Sequence, residues 1–299
     1  MRNHSEGTVF AIGAYLIWGM FPIYWKQLDG ISALQLIAHR IAWSFALLGI
    51  LVLGTRSSRT LLNALDRRAA RTYLGAAVLI SVNWFAYVWA VTHGLIVEAS
   101  LGYFINPLLS VLLGVILFGE RLRLLQWLPL GIAALAVAYL TITLGSFPWL
   151  AVLLAVTFGL YGAMKKTAPL GAMFGLAVET GILFLPAVGY LVAVEVLGTG
   201  AFFHGTPQED LLMIGAGIVT AVPLLLFAAA VTRVSMTTIG ILQYLTPTMQ
   251  FLIGIAVYHE PFPKARLIGF SLVWVGLALF WIEGIFARRS LARAQAGGS

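Results

Sequence analysis

His39 and Arg40 stand side by side about eight residues into one unbroken apolar run, and Glu179 and Thr180 about nine residues into another. At 1.5 Å per residue, that is roughly 12 Å inside a helix end. A charge at such depth must face protein or trapped water, and by default it has a job. Arg40 suits an anionic group; Glu179 suits a cationic group or a proton, so a coupled proton is among the partners these residues allow. The alternatives are an ion pair between Arg40 and Glu179, and a hydrogen-bonded core role for His39.

A second set is a stripe. Ser100, Tyr103, Asn106, Ser110 and Gly114 are spaced 3, 3, 4 and 4 apart, which is one helical face, with Pro107 beside it. Gly240, Gln243, Thr246, Gln250 and Gly254 continue the pattern beside Pro247, with Tyr244 adjoining. Amides and hydroxyls at this spacing suit the wall of a solute cavity; glue between helices is the alternative. Aromatic groups form a third set: Asn83 and Tyr87 lie four apart with Trp84 between them, and Tyr15 and Trp18 precede Pro22. Aromatic walls with few polar groups suit an amphipathic or aromatic solute, and plain packing is the alternative. Glu120 beside Arg121 and Glu260 near Lys264 are expected to be helix-end ion pairs, and Glu98 a dipole partner at a helix start.

Other chemistry is excluded. With no cysteine there is no disulfide, thiolate metal site or Cys nucleophile. The five histidines are scattered, and the chain carries no phosphate-binding glycine loop, His-Glu metal motif or Ser-centred elbow, so no cofactor, metal or catalytic residue is expected. No ATPase domain is present, so active transport would draw on a gradient. The net charge of +7 does not mark a nucleic-acid binder, because the basic residues sit in short connectors between apolar runs.

The elements that must position these groups follow from composition. Of 299 residues 61% are apolar and 10% charged, with mean hydropathy +0.96, against about 25% charged in soluble domains. An all-α polytopic membrane protein follows, because each apolar run must satisfy its own backbone in lipid. Ten spans are expected, at 8–25, 32–54, 71–92, 97–118, 124–143, 148–165, 170–196, 211–231, 236–258 and 265–286, the first retained rather than cleaved. With both termini in the cytoplasm, 14 of the 18 basic residues lie on the inner side, Lys165 and Lys166 among them. The arginine- and leucine-bearing stretch from 56 to 71 suits an interfacial helix on anionic lipid.

Displacing the sequence by 140 residues brings Gly75-Ala76, Val82, Ala90-Val91-Thr92, Pro107, Leu112, Gly114 and Glu120 onto identical residues from Gly215 to Glu260. The chain is therefore expected to be a duplication, residues 1–145 and 146–299. Five spans per repeat is an odd number, so equivalent helices run oppositely, the inverted-repeat plan of many transporters, with a midplane site between the halves. Pro107 and Pro247 predict a kink or unwound turn in each copy. The function expected is a secondary transporter or facilitator for a small organic solute; an uptake permease, a lipid-head flippase and a membrane-embedded enzyme are the alternatives.

In order along the chain, "YLIWGMFPIYWK", "AHRIAWS", "VNWFAYVWAV", "EASLGYFINPL", "GERL" and "AAVTRVSMTTIGILQYLTPTMQFLIG" resemble the RarD group of EamA-type permeases in the drug/metabolite transporter superfamily. The resemblance implies two inverted five-helix repeats, cytoplasmic termini, a bacterial inner-membrane location, a central cavity and outward movement of solute. The group's name is tied to chloramphenicol sensitivity, and relatives export amino acids and other metabolites; no residue here identifies a substrate. Residues 190–210 carry none of its motifs.

Overall fold

The computed structural model describes residues 2–55, 66–92, 96–124, 127–144, 149–259, 271 and 274–275. Its helices are α1 (Arg2–Gly19), α2 (Phe21–Trp25), α3 (Ala33–Gly54), α4 (Arg67–Thr92), α5 (Ile96–Phe118), α6 (Trp127–Leu144), α7 (Trp149–Thr167), α8 (Ala172–Val196), α9 (Pro207–Val231), α10 (Met236–Gln243) and α11 (Leu245–Ala256). They cover the first nine expected spans. The tenth lies almost wholly outside the described residues, as does the arginine-rich stretch up to residue 65. Among the described residues, the segments His4–Leu28, Ala33–Gly54, Trp149–Thr167, Ala172–Val196 and Pro207–Val231 are long and apolar enough to cross a membrane.

Proline sets two breaks, and not at both predicted places. α1 stops at Met20 because Pro22, near the start of α2, has no N–H to offer the Trp18 carbonyl four residues back. Gln250 on α11 supplies the missing donor, its Nε2 lying 3.2 Å from that carbonyl oxygen. The Pro247 helix breaks at Tyr244, which ends α10 and begins α11. α5, by contrast, runs unbroken through Pro107. The difference follows from neighbours: α10 packs on α5, whereas α11 is held to α1 by Gln250 and by the Thr246 hydroxyl, which donates to the Tyr15 carbonyl at 3.0 Å.

The bundle interleaves the two halves of the chain. α1 packs on α9 and α11, α3 on α8 and α9, α4 on α7 and α8, and α5 on α7 and α10. This pattern maps onto itself under the 140-residue displacement: α1–α9 becomes α7–α4, α1–α11 becomes α7–α5, α3–α9 becomes α8–α4, and α3–α8 and α5–α10 map onto themselves. Close helix approaches repeat it residue by residue. A Cβ on Gly19 would lie 2.7 Å from Met249, and one on the corresponding Gly159 would lie 3.1 Å from Leu109. Gly215 against Tyr24 and Gly75 against Met164 form a second such pair, at 3.0 and 2.7 Å. At the centre Tyr15, Trp18, Phe158, Tyr161 and Phe227 form one aromatic cluster drawn from α1, α7 and α9.

Candidate functional site

Arg40 does not meet Glu179. From α3 its Nε donates to the Thr220 hydroxyl on α9 at 2.9 Å, and its Cζ lies 4.8 Å from the ring of Trp84, 5.1 Å from Trp25 and 5.9 Å from Phe21. A planar, weakly hydrated guanidinium is the cation best suited to such faces. His39, the preceding residue, is 4% exposed, with its ring 5.0 Å from Phe202 in the α8–α9 connector. Trp43, one turn along α3, lies 6.1 Å from the same ring. That connector is pinned to α3 by Gln35, which donates to the Thr199 carbonyl and accepts from Ala201 N–H.

Glu179 pairs with Lys165, a residue expected in a solvated connector. The ammonium of this α7 lysine sits 2.7 Å from Oε1, with the two side chains 3% and 2% exposed. The Tyr161 hydroxyl donates to Oε2 at 3.1 Å. Lys165 Nζ also lies 5.5 Å from the Tyr73 ring and 5.9 Å from Tyr161. The alternative of an Arg40–Glu179 bridge does not hold: each charge has other partners. Yet the two clusters are related. Under the 140-residue displacement, Phe21, Trp25, His39 and Arg40 correspond to Tyr161, Lys165, Glu179 and Thr180, so the caged guanidinium and the buried carboxylate fall at adjacent positions of corresponding helices.

The two polar stripes touch. The Ser110 hydroxyl donates to the Gln243 side-chain Oε1 at 3.3 Å, and Gly240 lies so close to the Pro107 carbonyl that a Cβ would be 2.6 Å from it. Asn106, Ser110, Gln243 and Thr246 are all buried, and so is Tyr244. Beyond the break the stripe turns to a different neighbour, with Thr246 and Gln250 holding α1. The side chains of Ser100 and Tyr103 lie outside the described residues. Asn83 donates to the Leu154 carbonyl at 2.8 Å and the Thr157 hydroxyl at 2.9 Å, joining α4 to α7. Trp84 belongs to the Arg40 cage, Tyr15 and Trp18 to the central aromatic cluster, and Tyr87 lies on an outward face, 41% exposed.

Glu120 is not a helix-end ion pair with Arg121. α5 ends with Gly119 in the left-handed region at φ +63° and a hydrogen bond from Glu120 N–H to the Gly114 carbonyl at 3.0 Å. This turn sends the Glu120 carboxylate beneath α10, where it accepts from Met236 N–H at 2.6 Å and from Thr237. The first N–H groups of a helix have no internal partner, and a carboxylate there also meets the positive end of the dipole. Sequence reasoning also missed Lys165, Tyr161, Thr220, Phe21 and Trp25. The signal that finds four of them is the displacement itself, which aligns Phe21 and Trp25 with Tyr161 and Lys165, one helical turn apart in each copy.

Among the described residues, five buried side-chain atoms lack a hydrogen-bond partner: Tyr15 Oη, both ring nitrogens of His39, Trp43 Nε1 and Asn106 Oδ1. All belong to α1, α3 and α5, three of the first-half helices that pack against the second half. No group of three metal-ligating side chains occurs among the described residues.

Apolar helices of spanning length, buried charges and polar contacts between them define a multi-pass membrane protein. Comparison with known proteins identifies which kind. A family model described as the EamA-like transporter family matches residues 5–142. Protein RarD of Streptomyces exfoliatus is 42% identical, over 99% of this chain and 94% of that protein. Protein RarD of Escherichia coli strain K12 is 38% identical over 98% and 99%, and the uncharacterized transporter YojE of Bacillus subtilis strain 168 is 42% identical over 96% and 98%. A solved crystal structure 19% identical shares the fold, with TM-score 0.69 over 91% of this chain and 96% of that one. This chain belongs to the RarD group of EamA-like transporters, which makes it a transporter rather than an enzyme.

Proposed function

We propose that this chain is a secondary transporter or facilitator that moves a small organic solute outward across the bacterial inner membrane, by alternating access at the seam between two inverted five-helix repeats, residues 1–145 and 146–299, with both termini cytoplasmic. The self-mapping contact pattern and the paired glycine approaches support the repeats; the bias of basic residues supports the orientation. The observation that carries the function is the set of five buried polar atoms without partners on α1, α3 and α5. A buried donor or acceptor without a partner costs roughly 1 to 3 kcal/mol, so packing alone explains these groups poorly. An opened seam that admits water and solute gives Tyr15, His39, Trp43 and Asn106 their partners. Arg40, Glu179, Asn83, Trp84, Tyr87, Trp18, Ser100, Tyr103, Gln243, Tyr244, Thr246 and Gln250 are proposed as the surrounding solute contacts.

The test is transport in sealed vesicles, with solutes first selected by their effect on melting temperature, since a ligand of the folded state raises it. Asn106→Ala and Gln243→Ala should abolish net flux of the selected solute while the protein remains folded. Leu112→Ile, at an exposed site off the seam, should transport normally. Normal flux in both seam variants would overturn the proposal, and flux directed inward would make the protein an uptake permease.

A further inference from the structure

In the Lys165–Glu179 pair the lysine borders open space, with the carboxylate buried behind it. Lys165 lines a cleft of about 400 Å³ at the end of the bundle where α7 passes into α8, walled also by Leu170, Gly171, Ala229, Thr232 and Arg233. On its other side the ammonium meets one oxygen of Glu179, while Tyr161 holds the second oxygen. The Tyr73 and Tyr161 rings flank it within 6 Å, at 5.5 and 5.9 Å. A carboxylate fixed by a hydroxyl and flanked by two aromatic rings is the chemistry that recognises an alkylammonium ion. Here the chain's own lysine fills it.

Two physical points favour a replaceable occupant over a strut. A buried ion pair is a poor source of stability compared with apolar packing, so a strut does not need one. Removing Lys165 alone would strand the carboxylate, but exchanging one ammonium for another keeps the site neutral throughout. The lysine stem is flexible, and the cleft beside it has the volume of a solute pocket. Arg233, tied to the Ala229 carbonyl at 2.7 Å, adds positive charge to the cleft and so favours the closed pair.

We propose that Glu179, Tyr161 and Tyr73 form an alkylammonium site whose resident occupant is Lys165, and that a solute carrying a primary ammonium takes the carboxylate while Lys165 turns out into the cleft. This rests on the transport function above and narrows its substrate to solutes with a primary ammonium group. A dissolved amine and an ethanolamine lipid headgroup share this chemistry; the cleft's modest volume favours the dissolved one.

The experiment is a thermal-shift titration of the full chain in detergent with n-butylammonium chloride, the free equivalent of the lysine side chain, with n-butanol as the uncharged control. The wild type should be stabilised by the amine and not by the alcohol. Lys165→Met should respond at about tenfold lower amine concentration, because the tethered competitor is gone. Lys165→Arg, which keeps the pair with a stronger two-pronged bond, should need about tenfold more, and it serves if Lys165→Met fails to fold. Glu179→Gln should be flat. A flat wild type, or a response retained in Glu179→Gln, overturns the proposal. So does stabilisation by micelles doped with phosphatidylethanolamine but not by the free amine, which would make the ligand a lipid. Because binding in detergent requires no translocation, these failures leave the vesicle result for Asn106 and Gln243 standing.

Discussion

Glu120 and Thr237 are joined twice: one carboxylate oxygen accepts the Thr237 backbone N–H at 2.9 Å and its hydroxyl at 2.7 Å. The end of α5 thus caps the start of α10. Loss of a helix cap costs about 0.5 to 2 kcal/mol, so Glu120→Ala should lower the melting temperature measurably in detergent, and Thr237→Val should lower it less. The double variant should cost much less than the sum, because both remove parts of one interaction. Strict additivity would show that the bond between the Glu120 carboxylate and the Thr237 hydroxyl contributes nothing.

Gly119 should resist substitution for a different reason. Its φ of +63° belongs to the left-handed region, where an L side chain costs roughly 1 to 2 kcal/mol. Gly119→Ala should therefore destabilise even though no atom crowds the position. Gly131→Ala, equally open but within α6, should be neutral or stabilising, as Ala is the better helix former. Melting curves of the two variants decide it.

Pro22 and Gln250 should show coupling. Gln250→Leu removes the donor that, among the described residues, meets the Trp18 carbonyl and is expected to cost about 1 to 3 kcal/mol. Pro22→Ala restores a backbone N–H four residues on, so the double variant should recover much of the loss. A double-mutant cycle with no coupling would mean that the carbonyl finds another partner.

Arg40 and Glu179 should not rescue one another. Their partners are separate, so Arg40→Gln/Glu179→Gln should be additive in stability to within about 0.5 kcal/mol. Lys165→Met/Glu179→Leu, which removes a true pair together, should be more stable than Glu179→Leu alone by a few kcal/mol, up to about 3 to 5. Arg40→Lys should lose part of the wild-type stability, because an ammonium cannot bond Thr220 and stack on three rings at once.

The inverted arrangement has its own check in this cysteine-free chain. Single cysteines at Ser57 and Gly205 should be labelled by impermeant reagents from opposite faces of the membrane. Labelling from one face would take an odd number of crossings out of the five expected between them.

How much the sequence disclosed depended on whether the determinant was local. Helices over nine of the ten expected segments could be read because a bilayer leaves an apolar run no other way to satisfy its backbone. The displacement of 140 residues was legible too, and it reappears in which helices touch and where glycines admit them. Lys165 was misplaced because a lysine near a span end looks solvated, and nothing local says that its stem will fold back to a carboxylate on the next helix. Glu120 was misread for the same reason, its partner being 116 residues away. The break at Tyr244 without one near Pro107 was invisible because proline only frees a carbonyl; neighbouring helices decide whether the chain then bends.

The bond from Gln250 to the Trp18 carbonyl spans 232 residues, and that from Thr246 to the Tyr15 carbonyl 231. Synthesis proceeds from the N-terminus, so α1 enters the bilayer long before its stabilising partners exist. Until α11 arrives, the first helix carries an unanswered carbonyl in a medium that offers no water. Completion of the N-terminal segment is therefore deferred to a late stage of biogenesis. A nascent chain arrested before residue 245 should be handled by the cell as unfinished, open to membrane proteases and chaperones, however well its early helices are inserted.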